Sequence, residues 1–224
     1  MDALNHFIDH TKLGSTVSFE DIDQLIEEGI TYQFKSLCIN SHFVSYVSEK
    51  LKHTNILTCT VVGFPHGSHT KEAKIAETKQ AILDGANEID MVLNLTYVQS
   101  RNKLKTIEDI QSVVNAAAGR CVKVILETCY LSDEEIIFAC LCAKEAGAHF
   151  VKTSTGFGTA GATVEHVALM KQTVGDALEV KASGGIKNKE DALKMIHAGA
   201  TRLGTSKGVS IIENKESQHA NTSY

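Results

Sequence analysis

Two rhythms of apolar and polar positions run along the chain. Short runs rich in Val, Ile and Leu read as buried strands over Phe7–Thr11, Ser36–Asn40, Leu57–Phe64, Glu88–Asn94, Val122–Thr128, Phe150–Ser154, Glu179–Ala182 and Arg202–Thr205. Between them, apolar residues recur at helical spacing. That spacing predicts helices over Asp21–Glu28, Lys71–Asp84, Ile107–Ala118, Asp133–Ala146, Val164–Val174 and Lys189–Ala198. Strand and helix alternate, which predicts an α/β protein with parallel strands.

A weak internal repeat sharpens this expectation. DGANEIDM, AGAHFVKT and AGATRLGT each place a Gly-Ala pair two residues before a strand, with glycines at Gly85, Gly147 and Gly199. Glycine suits the left-handed position just past a helix end. Gly29, before GITYQF, reads as an earlier relative. The glycines are spaced as if each interval held two strand–helix units of roughly 28 residues, and a chain of 224 residues then holds eight. The predicted architecture is a single (β/α)8 barrel, with an open doubly wound sheet as the rival. One proline, Pro65, and no Gly/Ser-rich linker argue against two domains. The barrel is expected over residues 1–214, followed by a polar tail, KESQHANTSY, over 215–224.

Composition narrows the function classes. Apolar residues make up 43% and charged residues 22%, enough for a packed core. A net charge of −5 and no clustered basic run argue against a nucleic-acid partner. No apolar run reaches membrane-spanning length, and MDALNHFIDH lacks a secretory apolar core. Six cysteines without a C-x-x-C fit reduced thiols, so a cytoplasmic protein is expected.

Lys152 in HFVKTST and Lys181 in LEVKASGG interrupt apolar strands in matching contexts. If the preceding valines pack outward, both lysines face the barrel interior. Burial and a second cation both lower a lysine's pKa, and a neutral amine can form a Schiff base with a carbonyl. Lysines snorkelling from strand ends are the plainer alternative. Asp90 in NEIDMVLN and Glu127 in KVILETC are acids in apolar strands. Either could handle protons beside an imine, and Asp90 could equally be a counterion for a buried lysine. The stretches ASGGIK after Lys181 and GTSK at Gly204–Lys207 follow the last two strands. Glycines, hydroxyls and lysines there suit a phosphate. Gly156–Gly161 matches G-x-G-x-x-G, but it falls late in the chain, where a dinucleotide fingerprint is not expected. His66 and His69 have metal-like spacing without a third ligand, so no metal is expected.

These motifs together resemble the deoxyribose-phosphate aldolase family along nearly the whole chain: IDHT, CIN, CTVVGFPHG, EIDMVLN, KVILET, FVKTSTGF, EVKASGGI and AGATRLGTS. The resemblance implies a (β/α)8 barrel and a class I aldolase that cleaves 2-deoxyribose 5-phosphate to acetaldehyde and glyceraldehyde 3-phosphate without a cofactor. It assigns the Schiff base to Lys152, its perturbation to Lys181 and proton transfer to Asp90. Phosphate binding falls to Gly156, Gly184, Gly185, Lys187, Gly204 and Ser206. Tyr224, at the chain end, would assist proton transfer. A homodimer is a further implication. Four sites depart from the family pattern. Lys12 follows DHT and could bring a third amine near the site or point to solvent. Lys187 replaces a common arginine, and Lys207 a common serine. His66 and His69 lie in the loop after GFP.

Overall fold

The structure is a computed structural model and describes residues 4–214. Tyr224 and the tail over 215–224 lie outside the described residues. Eight parallel strands close into a barrel in chain order, β8 returning to pair with β1. They are β1 (Ile8–Lys12), β2 (Ser36–Ile39), β3 (Leu57–Val62), β4 (Glu88–Val92), β5 (Cys121–Ile125), β6 (Phe150–Lys152), β7 (Glu179–Ser183) and β8 (Arg202–Thr205). The helices are α1 (Phe19–Tyr32), α2 (Val44–Leu51), α3 (Lys71–Leu83), α4 (Leu95–Gln99), α5 (Lys103–Ala116), α6 (Asp133–Glu145), α7 (Val164–Val174), α8 (Lys189–His197) and α9 (Gly208–Glu213).

Local chemistry fixes where these elements begin and end. Ser18 with Asp21, and Ser132 with Glu135, form reciprocal capping boxes that start α1 and α6. The repeat glycines Gly85, Gly147 and Gly199 all have positive φ, at 105°, 80° and 110°. Each turns the chain from a helix into the next strand. Gly29 does not share that role. It lies inside α1, where a Cβ would come within 2.7 Å of Leu37. Its smallness lets α1 approach β2, and the helix ends instead at Gln33, in the left-handed region.

Three helices, α2, α4 and α9, lie outside the predicted helical stretches. The α2 segment VSYVSEKL is rich in β-branched and serine residues that favour helix weakly, and forms because Val44, Val47 and Leu51 bury against the barrel. At five and six residues, α4 and α9 are too short to show a period.

The outer face of the barrel carries the apolar core. Ile8, Leu37, Ile89, Val122, Val124, Val151, Val180 and Leu203 are each fully buried between strands and helices. Each such side chain contributes roughly 1.5–3 kcal/mol. That layer must offset an unusual lumen. Asp9, Glu88, Asp90, Lys123, Lys152, Lys181 and Arg202 are all buried and face inward. Inside the barrel, the only apolar cluster among the described residues is Leu13, Cys38, Cys59 and Val61, with Phe64 packed against it.

Candidate active site

Lys152, Lys181 and Arg202 are register partners on the adjacent strands β6, β7 and β8, so their side chains share one inward face. Asp90 and Lys123 are register partners on β4 and β5. Asp90 is the meeting point. Its Oδ2 accepts from Lys152 Nζ and from Lys181 Nζ, each at 2.7 Å, and its Oδ1 accepts from Lys123 Nζ at 2.8 Å. Asp9 accepts from Lys181 and from Arg202, the latter at 2.8 Å. Glu88 lies 2.7 Å from Lys123 and 2.9 Å from Arg202.

The lumen shifts these groups in a consistent direction. Burial pushes the Asp90 carboxyl up, but Lys123, Lys152 and Lys181 outweigh it and hold Asp90 well below the usual carboxylate range. Asp9 is depressed likewise, with Lys181, Lys123 and Arg202 overcoming its burial. Lys181 departs from the sequence expectation. Burial draws its ammonium down, but Asp9 and Asp90 more than reverse this, and Lys181 is held above the ordinary lysine range. Lys181 is therefore a fixed cation beside Lys152. The acids that hold it, Asp9 above all, are what two like charges alone do not reveal.

Glu127 does not join the lysines. It sits at a left-handed φ of 55°, and its carboxylate accepts from the Thr155 backbone N–H at 3.1 Å and from the Thr155 hydroxyl. It fastens the loop that follows Lys152. Lys12 is no third amine: it pairs with Asp21 at 2.8 Å, half exposed, at the start of α1.

The glycine-rich loops meet backbone to backbone. A Cβ on Gly161 would lie 2.3 Å from the Gly184 carbonyl, and the Ala162 N–H donates to both Ser183 O and Gly184 O. That contact accounts for the last glycine of G-x-G-x-x-G. Gly156, Gly184 and Gly185 have φ of 90°, 81° and 78°; Gly184 and Gly185 follow β7 directly, and Gly156 lies in the loop after β6. Ser206 and Lys207 follow β8, and Lys187 is exposed before α8. Gly204 lies within β8, where a Cβ would come within 3.1 Å of Lys181 Cε, so it makes room for the lysine stem. Phe64 and Phe157, from the loops after β3 and β6, meet edge to face at 5.3 Å. His66 and His69 are exposed, and among the described residues no cluster of three potential metal ligands includes them.

Sequence reading missed Asp9, Glu88, Lys123 and Arg202. Asp9 and Lys123 carried the same signal that marked Lys152, a charge at an inward position inside an apolar strand. It also missed Lys74 on α3. This buried ammonium donates to Asp109 of α5 at 2.8 Å and to the Val92 carbonyl at the end of β4 at 2.9 Å.

A closed parallel barrel whose lumen is lined by amines and carboxylates fits imine-forming aldolases. Residues 4–215 match the family model described as DeoC/LacD family aldolase, and the chain belongs to that family. It is 52% identical over 221 residues to the deoxyribose-phosphate aldolase of Acholeplasma laidlawii, covering 99% of each chain. It is 55% identical over 217 residues to that of Staphylococcus epidermidis, covering 97% of each. The deoxyribose phosphate aldolase structure from Aeropyrum pernix, a tetramer, superposes with a TM-score of 0.88 at 31% identity, covering 94% of this chain and 89% of that one.

Proposed function

We propose that this chain is a class I aldolase, with Lys152 as its nucleophile, that reversibly cleaves 2-deoxy-D-ribose 5-phosphate to D-glyceraldehyde 3-phosphate and acetaldehyde. Family membership supports the reaction. The arrangement of Lys152 supports the mechanism: its amine shares one Asp90 oxygen with a fixed second cation.

The neutral Lys152 amine attacks C1 of the open-chain aldehyde, and loss of water gives a protonated imine. The imine withdraws electrons from C2. The C3 hydroxyl gives up its proton through water near Asp90, the C2–C3 bond breaks, and glyceraldehyde 3-phosphate leaves. The enamine gains a proton at C2, and hydrolysis releases acetaldehyde and the free amine. Lys181 keeps a second positive charge beside the Lys152 amine, on the same Asp90 oxygen. Tyr224, at the end of the tail beyond the barrel domain of residues 1–214, is assigned the protonation of the enamine. The backbone N–H groups around Gly156, Gly184 and Gly185, with Gly204 and Ser206 on the β8 side, bind the phosphate, and Lys187 adds a point charge. The lysine itself serves as electron sink, so the step needs no metal or organic cofactor.

The reaction belongs to deoxyribonucleoside breakdown. A cytoplasmic setting accords with six free thiols and with the absence, among the described residues, of a helix long and apolar enough to cross a membrane. The test is a coupled assay that follows both products from 2-deoxyribose 5-phosphate. Turnover by the native chain, lost in Lys152→Ala with an unchanged melting profile, is the expected result. Turnover that survives the substitution refutes Lys152 as nucleophile.

A further inference from the structure

The lumen charges form a closed circuit that reaches from the mouth of the barrel to its far end. One arm runs from Asp90 through Lys181 and Asp9 to Arg202. The other runs from Asp90 through Lys123 and Glu88 to the same Arg202. Arg202 also stacks over the Phe150 ring at 5.3 Å. Lys123 braces the two arms, 3.7 Å from Asp9.

Among the described residues, three carboxylates thus face four cations in the lumen: Asp9, Glu88 and Asp90 against Lys123, Lys152, Lys181 and Arg202. Lys181 and Arg202 span two carboxylates each, and Lys123 reaches all three. Lys152 alone has a single carboxylate partner, and shares that oxygen with Lys181. When Lys152 is a neutral amine, the lumen is electrically balanced. When it is an ammonium, the lumen carries one excess positive charge in a water-poor interior. Arg202 cannot release its proton, so the balance cannot be restored at its end.

We propose that the Arg202–Glu88 pair, at the N-terminal ends of β8 and β4, sets the charge state of Lys152, acting through the two arms of this circuit. This inference rests on the assignment of Lys152 as the nucleophile and extends it. Neither residue touches the reacting atoms, so both are positioning residues. Arg202 keeps one positive charge in the circuit, which favours the free amine. Glu88 supplies the opposing charge, and its loss favours the free amine further. The titratable and charged groups facing Lys152 across the lumen are Asp9 on β1, Cys38 on β2, Cys59 on β3, Glu88 and Asp90 on β4, Lys123 on β5, Lys181 on β7 and Arg202 on β8. Glu127, at the end of β5, is committed to Thr155.

Arg202 lies two strands from Lys152, roughly 10 Å by strand spacing. A unit charge at that distance, at an effective dielectric near 20, moves a titration by about one pH unit. The experiment is the pH dependence of kcat/KM for 2-deoxyribose 5-phosphate in Arg202→Met, Arg202→Lys and Glu88→Gln. The acid limb is expected to move up by about one unit in R202M, to stay near its native position in R202K, and to move down by about one unit in E88Q. A structural role would lower activity in both charge-removing variants without moving their limbs in opposite senses. Limbs that stay fixed, or move together, overturn the proposal. If R202M does not fold, E88Q decides alone, since the amide keeps the shape and removes only the charge. Borohydride trapping on the native enzyme separates the two levels. An adduct on Lys152 with unmoved limbs refutes the circuit alone; an adduct on another lysine refutes both.

Discussion

Replacing Lys181 by Met removes one ammonium from the lumen and keeps the packed stem, which the missing Cβ of Gly204 accommodates. Lys152 and Lys181 each lie 2.7 Å from the same Asp90 oxygen, so their nitrogens are at most about 5.4 Å apart. At an effective dielectric near 20, a unit charge at that distance acts with about 3 kcal/mol, or about two pH units. Without Lys181, Asp90 answers to Lys152 and Lys123 alone, and the Lys152 ammonium is favoured. The acid limb of kcat/KM should therefore move up by about two units. Below the native limb, activity should fall about a hundredfold, and it should recover toward the native plateau at alkaline pH. Asp9 retains Arg202, so the fold should survive, at some cost in melting temperature. A uniform loss at every pH, with the limb unmoved, would refute electrostatic control by Lys181.

Three further outcomes follow from other parts of the structure. Asp109→Ala leaves the Lys74 ammonium buried beneath β3 and β4 with only the Val92 carbonyl as partner, and should cost about 3–5 kcal/mol in denaturant unfolding, whereas Glu190→Gln, which breaks the exposed pair with Lys194, should change nothing measurable. Gly161→Ala forces the loops after β6 and β7 apart at a 2.3 Å clash, and should raise KM for the phosphorylated substrate at least tenfold with a smaller loss in kcat. Asp9 is held below its unfolded value, so it binds fewer protons when folded; the stability it contributes is present above about pH 4 and is lost as pH falls. Urea midpoints of Asp9→Asn between pH 7 and pH 3 should accordingly decline less steeply than those of the native chain.

The barrel was legible because its outer face is apolar and its inner face is not, so each strand appears as an apolar run broken at inward positions. Arg202–Thr205 coincides with β8. Leu57–Phe64 and Val122–Thr128 run past β3 and β5, since apolar residues continue beyond the last ladder bond into Gly63–Phe64 and Leu126. Lys152 and Lys181 stood out in mid-run. Glu88 and Arg202 open their strands, where a charge ordinarily faces water, and only closure of the barrel turns them inward. Lys123 sits mid-strand in CVKVI between Val122 and Val124, and was as readable as Lys152. The pair Lys74–Asp109 joins residues 35 apart on two helices, and no local pattern announces such a contact.

Trapping the imine is the most direct test of the central claim. The native chain is incubated with 2-deoxyribose 5-phosphate, reduced with borohydride, digested and mapped by mass. The account predicts one reduced adduct, on Lys152, and none in Lys152→Ala. An adduct on Lys181, or no adduct from a folded enzyme that turns the substrate over, would contradict it.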